Sequence, residues 1–582
     1  MTTVLGISCW YHDAAASVIR DGVVVAAAEE ERFTRRKHDS SFPLHAVNFC
    51  LSKAGVSIDD IDLVGFYERP LLKFERILAG SIATFPHSYG LFLRAMRTWT
   101  SEKLFIRSVI KKSIGYHRDI AYVDHHVSHA AASFFPSPFR EAAILTFDGV
   151  GEWSTATYGV GRDREVRLDR EIRYPHSLGL LYSAFTAHLG FEVNEGEYKV
   201  MGMAPYGVPR YMDQLREIID VRTDGSFKLN MKYFAYHYAL RATSPMFERL
   251  FGPARKLDGP IEQRHMDIAA SIQMITEEAM LAAARHVHSV TGLRSLVLGG
   301  GVALNCVANG RILRETPFDE MYVQPAAGDA GGAIGIATYV YHSLLGGART
   351  APMRHAYLGP SFTDDEIVAM LRRNGISFRV LDTEALLDET SQRMADDQVV
   401  GWFQGAMEFG PRALGARSIL ANPANPQMKD LLNAKIKHRE QFRPFAPAVL
   451  AESCQSYFEL AIESPFMLLV APVVESMRRR IPTVTHVDGS ARIQTVTRSD
   501  NGMYYDLIAR FRDITGLPVI VNTSFNVRGE PIVCTPEEAF NCFSHTDMDY
   551  LVLGHNVVER DAKRKLFEYP GRGSIGAKQV VL

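Results

Sequence analysis

A strand, a polar turn, then two strands joined by a tight hairpin: this unit occurs twice in the chain and narrows the fold more than any other feature. VLGISC, AAASVIRDG and VVVAAAEEERF read as three strands, with Asp21-Gly22 a two-residue hairpin signal between the last two. AILTF, TATYGVGRD and REVRLDREIRY repeat the pattern at 143–173. CWYHDAA fills the first turn of one copy and DGVGEWS that of the other. Duplication of such a unit predicts an α/β domain of two like halves with a cleft between them.

Three glycine-rich turns fall at strand ends. They are Asp148-Gly149-Val150-Gly151-Glu152, Gly299-Gly300-Gly301-Val302-Ala303-Leu304-Asn305 and Gly328-Asp329-Ala330-Gly331-Gly332-Ala333. Glycine admits positive φ and lets a phosphate approach backbone N–H groups, and a following helix N-terminus adds a favourable dipole. One such loop alone reads as a tight turn. Three together favour a nucleotide-type cleft, with Gly149, Gly151, Gly300, Gly301, Asn305 and Gly331 as candidates.

At 582 residues the chain is too long for one ordinary core. Composition shifts near LLGGARTAP (344–352), and TDDEIVAMLRRNG then opens a helical pattern after a good N-terminal signal. This predicts domains at 1–351 and 352–582. A formal net charge of −2 gives no overall basic field for nucleic acid or membrane. The six cysteines form no C-x-x-C pair and fit reduced thiols in a cytoplasmic protein. The N-terminus lacks a signal-peptide pattern, and no apolar run reaches the roughly 18 residues of a spanning helix.

AYVDHHVSHAAASFF (121–135) reads as a strand end running into an alanine-rich helix. His125 and His129 are four apart and share a helical face, whereas His126 is turned about 100° away. An i, i+4 histidine pair is half of a metal site, and Asp148 and Asp329, in the glycine turns, are the best candidates to complete it. Two histidines with two carboxylates suit Fe(II), Mn, Zn or Ni. The segment by itself is equally readable as a polar helix start.

Many ordered blocks resemble the O-carbamoyltransferases of the nodulation-protein, cephamycin and aminoglycoside-antibiotic type. They include GISCWYHDAAASVI, EEERFTRRKHDSSFP, DHHVSHAAASFFPSPF, FDGVGEW, EGEYKVMGMAPYG, GGGVALNC, GDAGGAIGIA, EFGPRALGARSILANP, KHREQFRPFAPAV, ARIQTV and VNTSFNVRGEPIV. The resemblance implies a duplicated actin/sugar-kinase-like (ribonuclease H-like) N-terminal domain, similar to that of the universal tRNA threonylcarbamoyl transferase. It implies a YrdC-like α/β C-terminal domain. In such enzymes carbamoyl phosphate and ATP, with Mg, give carbamoyl-adenylate in the C-terminal domain. The carbamoyl group then passes to an acceptor hydroxyl at a metal held in the N-terminal domain. The resemblance carries the metal ligands onto His125, His129, Asp148 and Asp329, with iron favoured, and the catalytic base onto His12. Asp13 is placed to orient that base.

Residues 408–443 are basic: Arg412, Arg417, Lys435, Lys437, His438, Arg439 and Arg443. Lys435 and Arg439 read as a solvated face. Arg412 and Arg417 in GPRALGARSI, and Arg443 in FRPFAPAV, lie in apolar settings, where cations need anionic partners and guanidinium forks suit phosphate. The resemblance implies that Arg412, Lys437, Arg443, Arg492 and Ser524 bind carbamoyl phosphate and ATP, with Asn522 a further candidate. EGEYKVMGMAPYG reads as a loop with Lys199 either at the cleft or beside core methionines. Lys37 is an acceptor-side or gating candidate. Residues 70–118 read as helices without evident chemistry.

The expectation is therefore an ATP-dependent O-carbamoyltransferase of secondary metabolism, such as antibiotic biosynthesis, using a hydroxylated small-molecule acceptor and no nucleic acid or membrane; a homodimer stands open. The alternatives are a tRNA threonylcarbamoyl-type transferase and a non-catalytic nucleotide-binding protein.

Overall fold

A computed structural model describes residues 1–101 and 103–562. Residues 563–582, the end of the expected second domain, lie outside the described residues. The described chain forms two compact units, one of 1–30 and 40–353, the other of 354–562 together with 31–39.

Twelve strands build the first unit: β1 (Thr3–Ser8), β2 (Ala15–Arg20), β3 (Val23–Glu29), β4 (Leu63–Phe66), β5 (Ile120–Tyr122), β6 (Glu141–Phe147), β7 (Ser154–Arg162), β8 (Glu165–Arg173), β9 (Ile219–Val221), β10 (Phe227–Leu229), β11 (Ser295–Gly299) and β12 (Glu320–Val323). One five-stranded sheet has the order β3-β2-β1-β4-β5 and another the order β12-β11-β6-β7-β8. In each, the three strands that come first along the chain pair antiparallel and the two that come later join in parallel. The same five-strand order, met twice, is the duplicated actin/sugar-kinase-like (ribonuclease H-like) α/β arrangement. Its central strands β1 and β6 are apolar and almost wholly buried, as strands covered on both faces must be. The edge strand β8, EVRLDREIR, is charged and largely exposed, which blunts edge pairing.

Helix Gly331–Tyr339 packs between β1 and helix His125–Phe134 at backbone contact. A Cβ on Gly6 would lie 1.9 Å from the Ala333 carbonyl oxygen, and one on Gly335 would lie 1.9 Å from that of Ser128. Only glycine at both positions allows this approach. It brings the loop before Gly331, with Asp329, onto the histidine helix.

EGEYKVMGMAPYG differs from its reading as a loop. Glu197–Met203 is an α-helix, and Ala204–Tyr206 adds a 3-10 turn. Val200 and Met203, one turn apart, are fully buried, and Pro205 and Gly207 fall only at the end.

The second unit holds a nine-stranded mixed sheet. Its strands are β13 (Arg379–Val380), β14 (Val400–Phe403), β15 (Arg417–Ala421), β16 (Ala446–Leu450), β17 (Leu469–Pro472), β18 (Ser490–Val496), β19 (Val519–Ser524), β20 (Tyr550–Leu553) and β21 (Asn556–Glu559). Their order is β13-β21-β20-β14-β15-β19-β16-β18-β17. Helix Asp364–Arg373 begins at a Thr363/Glu366 capping box.

Residues 31–39 belong to this unit, whereas the sequence reading ran the first domain unbroken to 351. Arg35 donates to the carbonyls of Pro531 (2.8 Å) and Ile532 (2.7 Å) and pairs with Glu538 at 3.3 Å. Arg32 donates to the Gly410 carbonyl at 2.8 Å. Phe33 packs on Met407, Ala413, Ile532 and Cys534. All six cysteines are free and buried. Among the described residues no helix is long and apolar enough to cross a membrane.

Candidate metal centre

His125 opens the helix His125–Phe134, and β5 delivers the chain to it. Asp124 stands at the N-cap without capping. Glu152 takes that role: its carboxylate accepts the His125 backbone N–H at 3.0 and 3.1 Å and the Arg69 N–H at 2.6 Å. Gly151 lies under the ring, where a Cβ would come within 2.9 Å of His125 Cβ. The loop after β6 thus fixes both Asp148 and the start of the histidine helix.

Four donor-type side chains converge. The ligand atoms of His125, His129, Asp148 and Asp329 all lie within 4.8 Å of one another, and all four residues are buried. His125 Nε2 is 2.9 Å from His129 Nε2 and 3.2 Å from Asp148 Oδ2. Asp329 Oδ1 is 3.7 Å from His125 Nε2 and 3.6 Å from His129 Nε2, and has no hydrogen-bond partner. Two facing imidazole nitrogens share at most one proton, so the arrangement suits a cation better than a hydrogen-bond network. Two imidazoles and two carboxylates fit a divalent first-row metal such as Fe(II), Mn, Zn or Ni.

Outer contacts orient these groups. Asp148 Oδ1 accepts the Gly301 N–H at 2.8 Å, which turns Oδ2 toward the histidines. Gly300 makes that turn at φ +85°, and a Cβ there would sit 2.2 Å from the Phe147 carbonyl oxygen. Tyr67 Oη donates to Asp329 Oδ2 at 3.4 Å.

Burial opposes charge on His125, but Asp329 and Asp148 outweigh it and hold the imidazole up to about 9. Burial also opposes ionisation of Asp148, but the hydrogen bond from His125 to Asp148 and the charges of His129 and His125 overcome it, holding that carboxyl well below its ordinary range. His126 faces the sheet: its Nδ1 pairs with Thr146 Oγ1 at 2.6 Å, and burial pushes it down to about 3. It stands outside the cluster.

His12 lies in the turn between β1 and β2, with Nδ1 2.9 Å from Asp13 Oδ2. Asp13 itself takes φ +51°. Burial would lower His12, yet Asp329 and Asp13 carry it up to about 10.

The glycine-turn candidates have packing requirements of their own. Gly149 and Gly151 follow Asp148, Gly300 and Gly301 shape its contacts, and Gly331 meets the Ala326 carbonyl. Asn305 caps helix Cys306–Glu315 through the Ala308 N–H and pairs with Gln273. Lys199 is buried in helix Glu197–Met203, its ammonium 5.5 Å from the Phe191 ring centre.

The second unit gathers most of the basic candidates near one turn. Lys437 is buried and donates to the Ser524 carbonyl, the Asn526 carbonyl (2.9 Å) and Asn526 Oδ1 (3.0 Å). Burial, with Arg439 and Arg443 nearby, holds its ammonium well below the usual range. Asn522, on β19, is buried and donates to the Ala413 carbonyl (3.1 Å) and Gln494 Oε1 (2.7 Å). Arg412 precedes that carbonyl, and Arg492 shares a face of β18 with Gln494. Arg443 faces Glu440 at 3.9 Å. Lys37, in the 31–39 segment, adds to the positive field at Lys437. Arg417 is different: it is fully buried, stacks on Phe403 at 3.6 Å, and donates to the carbonyls of Pro360, Gln404, Gly405 and Ala416. Glu408 completes that loop by accepting the Leu414, Ala416 and Arg417 N–H groups.

Residues 3–338 match the family model described as carbamoyltransferase N-terminus, and 391–560 match carbamoyltransferase C-terminus. An uncharacterized protein of Synechocystis, sll1178, is 49% identical over 97% of each chain. The nodulation protein NolNO of Sinorhizobium fredii is 38% identical over 94% of this chain and 79% of its own. The nodulation protein NolO of Bradyrhizobium diazoefficiens is 37% identical over 75% of this chain and 79% of its own.

Proposed function

The chain belongs to the carbamoyltransferase family and is a carbamoyl-transferring enzyme, and from that premise we propose an ATP-dependent O-carbamoyltransferase that works in two steps. In the first, water takes the phosphoryl group of carbamoyl phosphate, releasing phosphate, and the carbamate so formed displaces pyrophosphate from ATP-Mg to give carbamoyl-adenylate in the second unit. In the second, a hydroxyl of a small natural-product acceptor takes the carbamoyl group in the first unit. The convergence of His125, His129, Asp148 and Asp329, buried within 4.8 Å, is the observation that carries this reading.

A carbamoyl carbonyl is a poor electrophile because its nitrogen donates into it, so attachment to AMP supplies the leaving group. Arg412, Arg443 and Arg492 offer guanidinium forks to phosphate oxygens. Lys437 fixes the turn carrying Ser524, and Asn522 ties that strand to the loop of Arg412. A divalent cation held by His125, His129, Asp148 and Asp329 would supply Lewis acidity toward a carbonyl or phosphate oxygen and would offset the Asp329 and Asp148 charge that raises His12. His12 offers Nε2 to the acceptor hydroxyl while Asp13 holds Nδ1. The protein acts in the cytoplasm.

The test is pyrophosphate release by pure, metal-loaded protein. Release should require ATP and carbamoyl phosphate together, and labelled carbamoyl phosphate should mark a hydroxylated acceptor. Release with ATP alone, or none with both, would sink the proposal.

A further inference from the structure

Helix Pro70–Ala83 is built inside out. It turns Lys73 and Arg76 inward, at 3% and 2% exposure, and leaves Leu71 and Ile82 70% and 69% exposed. An amphipathic helix normally does the reverse. Burying two cations is costly unless each is paired.

Lys73 is paired: Nζ lies 2.5 Å from Glu68 Oε2, and it sits over the Tyr11 ring at 5.0 Å. The Tyr11 ring lies 4.6 Å from that of His12. One turn along the same face, Arg76 makes no hydrogen bond to any described residue, and its buried Nε and Nη1 lack partners. Its guanidinium rests on the Tyr174 ring at 4.9 Å. Tyr174 meets Tyr236 at 6.3 Å, and Tyr236 lines a small recess with Leu180, Ser183 and Arg241. Leu180 also packs beside Gly149, next to the ligand Asp148. Tyr174, Tyr236 and Leu180 thus form a run of neighbours from Arg76 toward the metal-centre loop.

We infer that Arg76 is the docking point for an anionic group on the acceptor, so that the acceptor is a hydroxylated molecule also bearing a carboxylate or a phosphate. This rests on the proposed transfer to a hydroxyl and adds a substrate class to it. The guanidinium fork would hold the anion bidentately, beside the half-buried Tyr174 ring.

The experiment titrates the full-length, metal-loaded protein with glucose 6-phosphate, glucuronate and neutral glucose, using wild type, Arg76→Gln and Arg76→Lys. At least one anionic probe should bind wild type about tenfold or more tighter than Arg76→Gln, with Arg76→Lys between, since a charge-assisted bidentate contact is worth at least that. Glucose should bind all three alike. Preference for the phosphate or the carboxylate assigns the anionic group. Thermal melts separate docking from structure. Loss of a buried charge that has no hydrogen-bond partner among the described residues should raise the Tm of Arg76→Gln, whereas a structural cation would leave it lower. Anion binding independent of Arg76, or a lowered Tm with binding unchanged, overturns the inference. Acceptor-free pyrophosphate release by wild type reports the two-step reading separately.

Discussion

His125 and His129 face each other through their Nε2 atoms at 2.9 Å, one helical turn apart. Both nitrogens also look onto Asp329, and His125 onto Asp148. Held this way, the pair either shares a proton or donates two lone pairs to one cation.

His129→Ala should therefore strip the metal and abolish carbamoyl transfer while sparing pyrophosphate release. Elemental analysis and the two assays read this directly. Equal loss of both steps would contradict the division of labour between units.

Metal loading should release protons. The charged form of His125 stabilises the fold fully below its ordinary 6.5, and that contribution is lost as pH rises through about 9. A ligating imidazole must be neutral, so metal affinity should climb as pH rises toward about 9. Calorimetry near neutral pH, in buffers of different ionisation enthalpy, should show release of about one proton. Buffer-independent heats would refute this.

Glu152→Gln should weaken metal binding without removing a ligand. The side chain holds the His125 N–H, and losing a helix cap costs about 1 kcal/mol. Disturbing an outer contact of this sort lowers metal affinity about tenfold to a hundredfold. A metal titration checks it, and unchanged affinity would remove Glu152 from the design.

In the second unit, two arginines should fail differently. Arg417→Ala removes a buried cation bonded to four carbonyls and should cost about 3–5 kcal/mol, lowering Tm along with pyrophosphate release. Arg443→Ala should lose pyrophosphate release with Tm nearly unchanged. Matching Tm values for both would show that this distinction is mistaken.

Much of the first unit could be read from sequence because its signals are local. Asp21-Gly22 marks a hairpin wherever it lies between apolar runs, and the spacing of His125 and His129 places them on one face. Glu152 could not be found this way: three residues beyond Gly149, it looks like any loop glutamate until the chain folds the turn over the helix start. Lys73 and Arg76 sit in a segment that showed no chemistry, because periodicity places cations outward by default. Arg417 lies among the same basic residues as Arg412, and only burial beneath carbonyls separates a structural cation from a candidate ligand. The 31–39 segment carries no local mark of the unit it joins.

That segment also sets a problem of timing. Arg35 and the carbonyl of Ile532 that it bonds are separated by 497 positions. At roughly 5–20 residues per second, a ribosome needs about 25–100 s to bridge that interval. Phe33, Arg32 and Arg35 must wait through most of synthesis before their partners exist, so the second unit completes itself only with residues made near the beginning. An isolated fragment beginning at 354 would carry its own sheet yet lack Phe33 and Arg35.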